Sequence, residues 1–138
     1  MKAAENLKNV IKKELIMNEQ EIIMEILPKV KRLIRLTNDG KVILVADKSR
    51  IPKIYQLLLY LIGKRLAKMA ELVESPDASI KELSEELGFP ENYTRALLSE
   101  LSSKNLITRS EKGLYNVKPL QIQEAISIIE SKLGGEGE

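Results

Sequence analysis

Residues 79–119 read SIKELSEELGFPENYTRALLSELSSKNLITRSEKGLYNVKP, and the spacing of their apolar residues divides them into four segments. Ile80, Leu83 and Leu87 recur three or four residues apart, on one face of a helix whose other face carries Lys81, Glu82, Glu85 and Glu86. Ser79 before that run, with Glu82 three residues later, forms a capping box. Gly88 suits the left-handed position after the last turn, and Pro90 blocks continuation. A second helix is predicted from about Glu91 to Lys104, with Thr94, Leu97, Leu98 and Leu101 inward and Asn92, Tyr93, Arg95, Ala96, Ser99 and Ser103 outward. Leu106 to Thr108 and Leu114 to Val117 then read as two strands joined by Glu111-Lys112-Gly113 and closed by Pro119.

Upstream, Pro52 to about Glu74 is apolar on most faces of a helix, which predicts burial on more than one side and makes it the floor for both halves of the chain. Before it, VKRLIRLT and KVILVA flank Asn38-Asp39-Gly40, so a β-hairpin is expected over about Lys31 to Ala46. Leu7, Val10, Ile11 and Leu15 are spaced for a first helix. Asn18 with Glu21 marks a second, with Ile22, Ile23, Ile26 and Leu27 inward and its end before Pro28; one bent helix is the competing reading. Downstream, Leu120, Ile122, Ala125, Ile126, Ile129 and Leu133 define a C-terminal amphipathic helix, and 134–138, GGEGE, read as a disordered tail. Met17, Met24 and Met69 read as core filler, and Tyr55 and Tyr60 as packing residues.

The expected class is α+β, mostly α: residues 1–51 as helices plus a basic hairpin packed on the next helix, 52–119 as the central unit, 120–133 as a helix and 134–138 as tail. Cysteine and histidine are both absent. That removes disulfides, thiolate metal sites, the commonest zinc ligands and the commonest general base. No phosphate-binding glycine loop is present, and the carboxylates, Glu82, Glu85 and Glu86 included, read as a solvated face. No catalytic residue, metal or cofactor is therefore expected, and the chain is not read as an enzyme. The longest apolar run, Leu57 to Ile62, is far short of the roughly 20 residues that cross a bilayer, and the N-terminus does not read as a signal peptide. A cytoplasmic protein without membrane contact is expected. Abundant Ile, Lys and Glu match the compositional trend of thermophiles.

The helix pair with its Leu-Gly-Phe-Pro turn, followed by Leu-Ser-Ser-Lys-Asn-Leu-Ile running into the hairpin, resembles the winged helix-turn-helix superfamily, in particular small prokaryotic and archaeal regulators of the MarR-like and TrmB-like kind. The resemblance covers the C-terminal half. It implies duplex DNA binding and transcriptional regulation, with the second helix in the major groove and the wing on backbone or minor groove. By position it points to Asn92, Tyr93, Arg95, Ser99 and Ser103 for the groove, and to Arg109 and Lys112 for the wing.

Charge complicates that picture. Residues 28–70 hold eleven basic and two acidic residues, a net of +9, whereas 71–138 hold seven basic and thirteen acidic, a net of −6. Phosphate neutralisation dominates nucleic-acid affinity, so the backbone contacts are expected from the hairpin: Lys31, Arg32, Arg35 and Lys41. The alternative for those cations is a solvated face. Two other functions stay open: a winged protein-interaction module whose acidic half meets a basic partner, and RNA binding through the hairpin. A homodimer is expected through the stripes Leu7, Val10, Ile11, Leu15 and Ile122, Ile126, Ile129, Leu133, with packing inside the monomer as the alternative.

Overall fold

A computed structural model describes residues 2–110 and 112–137. Six α-helices, one short 3-10 turn (Lys48–Arg50) and two small antiparallel hairpins make up the described residues: α1 (Lys2–Leu15), α2 (Glu19–Val30), β1 (Ile34–Leu36), β2 (Val42–Leu44), α3 (Lys53–Met69), α4 (Ile80–Leu87), α5 (Glu91–Ser103), β3 (Thr108–Arg109), β4 (Tyr115–Asn116) and α6 (Pro119–Gly137). The class is α+β, mostly helical.

α3 is the axis of the molecule. Leu57, Leu58, Leu61 and Ile62 are fully buried, and the core around them runs from Ile23 on α2 to Ile129 on α6. The first hairpin lies on α3, pairing Ile34 with Leu44 and Leu36 with Val42. Gly63 is what lets it approach: a Cβ there would come within 2.5 Å of a Val42 methyl. The turn runs from Thr37 to Gly40, with the Gly40 N–H donating to Thr37 O. Gly40 has φ +85 and its α-carbon faces Val73, so a side chain there is excluded twice.

The ends of α3, α4 and α5 are each closed by a left-handed residue. Ser79 caps α4 by accepting from the Glu82 N–H at 3.0 Å, and Gly88, φ 73, ends it. Asn105, φ 62, ends α5 with Leu106 N–H donating back to Leu101 O, and Glu71, φ 60, does the same for α3 through Leu72 and Ala67. That ending corrects the expected boundary: α3 stops at Met69, not near Glu74, because Leu72 and Val73 turn back over the hairpin.

Other boundaries also differ. α2 runs through Pro28 to Val30, since Val30 is buried and Lys31 N–H still bonds Leu27 O. Pro28 forfeits only its own donor, on an exposed side where water can satisfy the carbonyl left free. Leu27 is exposed rather than inward. Residues 31–33 form a turn, so the hairpin begins only at Ile34. α6 continues through the glycines to Gly137 instead of ending in a tail at Leu133; an established helix propagates at one bond per residue, which offsets poor glycine propensity. Met1, Glu111 and Glu138, parts of the expected first helix, wing turn and tail, lie outside the described residues.

Met17, Met24 and Met69 are not core filler: all three are exposed. The two expected dimer stripes have different fates. Ile122, Ile126 and Ile129 are buried against α2 and α3 and Leu133 is half-buried, so this chain itself covers that face. Leu7, Val10, Ile11 and Leu15 remain 44 to 72% exposed.

Candidate nucleic-acid interface

The candidate interface is built on α5. Thr94, Leu97, Leu98 and Leu101 are buried, and Thr94 donates its hydroxyl to Pro90 O at 3.0 Å, so this polar side chain is satisfied in the core. Rotation of α5 is thereby set, and Asn92, Tyr93, Arg95, Ala96, Ser99 and Ser103 are all exposed on its outer side. Ser103 bonds back to Glu100 O at 2.8 Å, which leaves its hydroxyl less available than that of Ser99. Along the same helix Arg95 pairs with Glu91 at 3.6 Å and Lys104 with Glu100 at 3.2 Å.

At the start of α5 the structure adds a residue that the sequence pattern does not single out. Lys53, the first residue of α3, holds its ammonium 5.8 Å from the ring centroids of both Phe89 and Tyr93, which themselves meet edge-on at 5.7 Å. Lys48 lines a neighbouring cavity of about 290 Å³ with Glu86 and Leu87, at the end of α4. Two cations, Lys48 before α3 and Lys53 at its first position, therefore lie near the α4–α5 turn. Their partners lie about forty residues away in the chain, so no local spacing reports them.

After α5 comes the second hairpin. Thr108 pairs with Asn116 and Arg109 with Tyr115, and Ala78 bridges Tyr115 from the other side. Gly113, φ 73, shapes the turn. Arg109 lies over the Tyr115 ring at 5.9 Å, and Arg109 and Lys112 are exposed. The hairpin is tied to α3 by Arg65, whose Nε donates to Val117 O at 2.7 Å and whose Nη2 donates to Asn116 Oδ1 at 3.2 Å. Asn116 in turn donates to Asp77 at 2.8 Å.

Other basic residues upstream are engaged elsewhere. Arg32 meets Glu130 of α6 at 3.0 Å and Lys29 meets it at 3.7 Å. Lys64 is paired with Glu82 at 3.0 Å, and the Tyr60 hydroxyl donates to the same carboxylate at 2.7 Å. Glu82 is accordingly half-buried in a network, not part of a solvated face. Burial, then the bond to Glu82, pushes the Tyr60 phenol well above its ordinary range. Lys31 and Arg35 line a groove at the C-terminal end of α3 with Leu66 and Met69. Tyr93 is beside Lys53 at the other end, roughly 25 Å along the helix. Lys41, in the hairpin turn region, is exposed next to Gly40, whose α-carbon faces Val73, also beyond the C-terminal end of α3. Lys31, Arg35 and Lys41 thus sit at the opposite end of α3 from Tyr93, whereas Arg32 is held by Glu130 of α6.

Among the described residues no helix is long and apolar enough to cross a membrane. In comparisons with known proteins, no family model, curated protein or solved structure matches the chain.

Proposed function

We propose that the chain is a winged helix-turn-helix protein that binds duplex DNA, most simply as a transcriptional regulator. α5 reads the major groove and the β3–β4 hairpin follows the backbone. The observation that carries this reading is the outer side of α5: Asn92, Arg95 and Ser99 exposed together, on a helix whose rotation four buried residues set. Arg95 suits a guanine edge and Asn92 an adenine edge. Releasing Arg95 from Glu91 costs little, since an exposed i,i+4 pair is worth roughly 0.3–0.5 kcal/mol. Backbone charge comes from Lys53 at the head of α5 and from Arg109 and Lys112 in the wing, in place of Lys31, Arg32, Arg35 and Lys41.

The test is fluorescence anisotropy against random duplexes over a salt series, then against duplexes selected from a random pool. Salt-dependent binding is expected. Arg95→Ala should cost about 1–3 kcal/mol on the selected site and relax its specificity. Lys53→Ala should weaken all duplexes alike and reduce the salt slope by about one. Absence of salt-dependent binding by the intact chain overturns the reading. It would favour a winged protein-interaction module, for which the pairing of Arg95 and Lys104 with carboxylates on α5 and the net −6 of residues 71–138 speak.

A further inference from the structure

Among the described residues two exposed apolar features stand out. One is the α1 stripe. The other is a groove of about 770 Å³ between α2, β1 and the end of α3, walled by Met24, Leu27, Ile34, Leu66 and Met69 and edged by Lys31 and Arg35. Exposed patches of this kind mark contacts with another surface.

Glu14 decides what fills the groove. It lies three residues after Ile11, four after Val10 and seven after Leu7, so it is on the apolar stripe of α1, at its C-terminal end. Lys12 and Lys13 lie round the helix from that stripe. A carboxylate carried into an apolar groove needs a cation there, and the groove's cations, Lys31 and Arg35, stand at the C-terminal end of α2. Within one chain this match is impossible. Only residues 16–18 separate α1 from α2, so α1 folded back on its own α2 runs antiparallel, with Glu14 beside Glu19 and Glu21. It would lie roughly 18 Å from Lys31, the length of α2. An α1 from another molecule has no such restriction. Laid parallel to α2 it brings Glu14 to Lys31 when Leu7 is at Met24, because both pairs are seven residues apart. The negative end of the α1 dipole then also faces the two cations.

We propose that α1 of one copy docks in this groove of a second copy, parallel to its α2, with Glu14 meeting Lys31 and Arg35. Reciprocal exchange makes a closed two-fold dimer. Two helices of 14 residues, each about 21 Å long, bury on the order of 1,000 Å² in total, the lower edge of specific interfaces.

The dimer does not depend on the nucleic-acid reading, and its test contains no DNA. In sedimentation velocity the intact chain should sediment as a dimer at about 100 μM. Leu7→Glu with Ile11→Glu, both exposed, should give a monomer with unchanged circular dichroism. Glu14→Lys should raise the dimer dissociation constant at least about tenfold, and adding Arg35→Glu should recover most of that loss. Because the chain lacks cysteine, Ile11→Cys with Leu27→Cys gives an independent readout: oxidation should link two chains. A monomeric intact chain at about 100 μM, a dimer indifferent to Leu7→Glu with Ile11→Glu, no recovery by Arg35→Glu, or a bridge formed within one chain would each overturn the proposal.

Discussion

α1 and α6 carry the same kind of pattern, an apolar stripe at helical spacing near one end of the chain, and they end in opposite situations. On α6 the isoleucines at 122, 126 and 129 are sealed against α2 and α3. On α1 the stripe is open. Periodicity states that a face must be covered but is silent on the cover. What separates the two helices is reach. α6 leaves the β3–β4 hairpin, which Arg65 ties to α3, and so starts beside the core. α1 is joined to the body through α2, three residues on.

The largest effect that tests this contrast is a paired truncation. Ile126→Ala should cost about 2–5 kcal/mol in urea unfolding, because it leaves a cavity at a fully buried position. Ile11→Ala, measured below the concentration at which copies associate, should change stability by no more than about 0.5 kcal/mol. Equal losses would mean that α1 packs on its own chain after all.

Next in size is the contact between the hairpin and α3. Gly63→Ala drives a methyl into Val42 and should cost about 1–3 kcal/mol. Removing the two obstructing methyls, Val42→Ala in the same chain, should take away most of the Gly63→Ala cost. A Gly63→Ala cost that survives in the Val42→Ala background would show that the hairpin is not seated as described.

Those two tests also mark how much was legible beforehand. The α4–α5 unit could be read because its signals are local: Ser79 and Glu82 at one end, Gly88 and Pro90 at the other, and the leucines at 97, 98 and 101 between. The placement of Gly40 in the hairpin turn was local too. Val42 over Gly63 was not, nor was Arg65 bonded to a carbonyl 52 residues away, nor Glu82 shared by Tyr60 and Lys64. Charge was misjudged for the same reason. Arg32 was expected on the DNA backbone, but Glu130, 98 residues on, is beside it and beside Lys29. The outer residues of α5 were identified from their spacing, whereas Lys53, which joins them only through the fold, was invisible.

A smaller effect comes from the Tyr60–Glu82–Lys64 cluster. Tyr60→Phe removes a hydrogen bond to a charged acceptor and should cost roughly 1.5–3 kcal/mol if the site were dry, but nearer about 1 kcal/mol for a half-buried group. Its pH dependence is distinctive. The folded chain holds the phenol protonated beyond the usual pKa near 10, so Tyr60 contributes fully below about pH 10 and the contribution falls as pH rises through the folded value. The wild-type chain should lose stability above about pH 10 more steeply than Tyr60→Phe. Identical alkaline slopes would remove Tyr60 from the account.

The smallest effect returns to α6 and its charge. Glu130 holds Lys29 and Arg32 at the joint between α2 and α6, and all three side chains are partly or largely exposed. Water screens such pairs, so Glu130→Gln should cost only about 0.5–1 kcal/mol, a loss that shrinks as salt is raised to about 0.5 M. The same change releases two cations from their carboxylate. If the backbone contacts to DNA come from Lys53 and the wing, the released pair is in the wrong place and the salt slope of duplex binding should stay as it was. A slope steeper by about two would return Lys29 and Arg32 to the interface. It would also mean that the joint which buries the α6 stripe withholds positive charge from a nucleic acid.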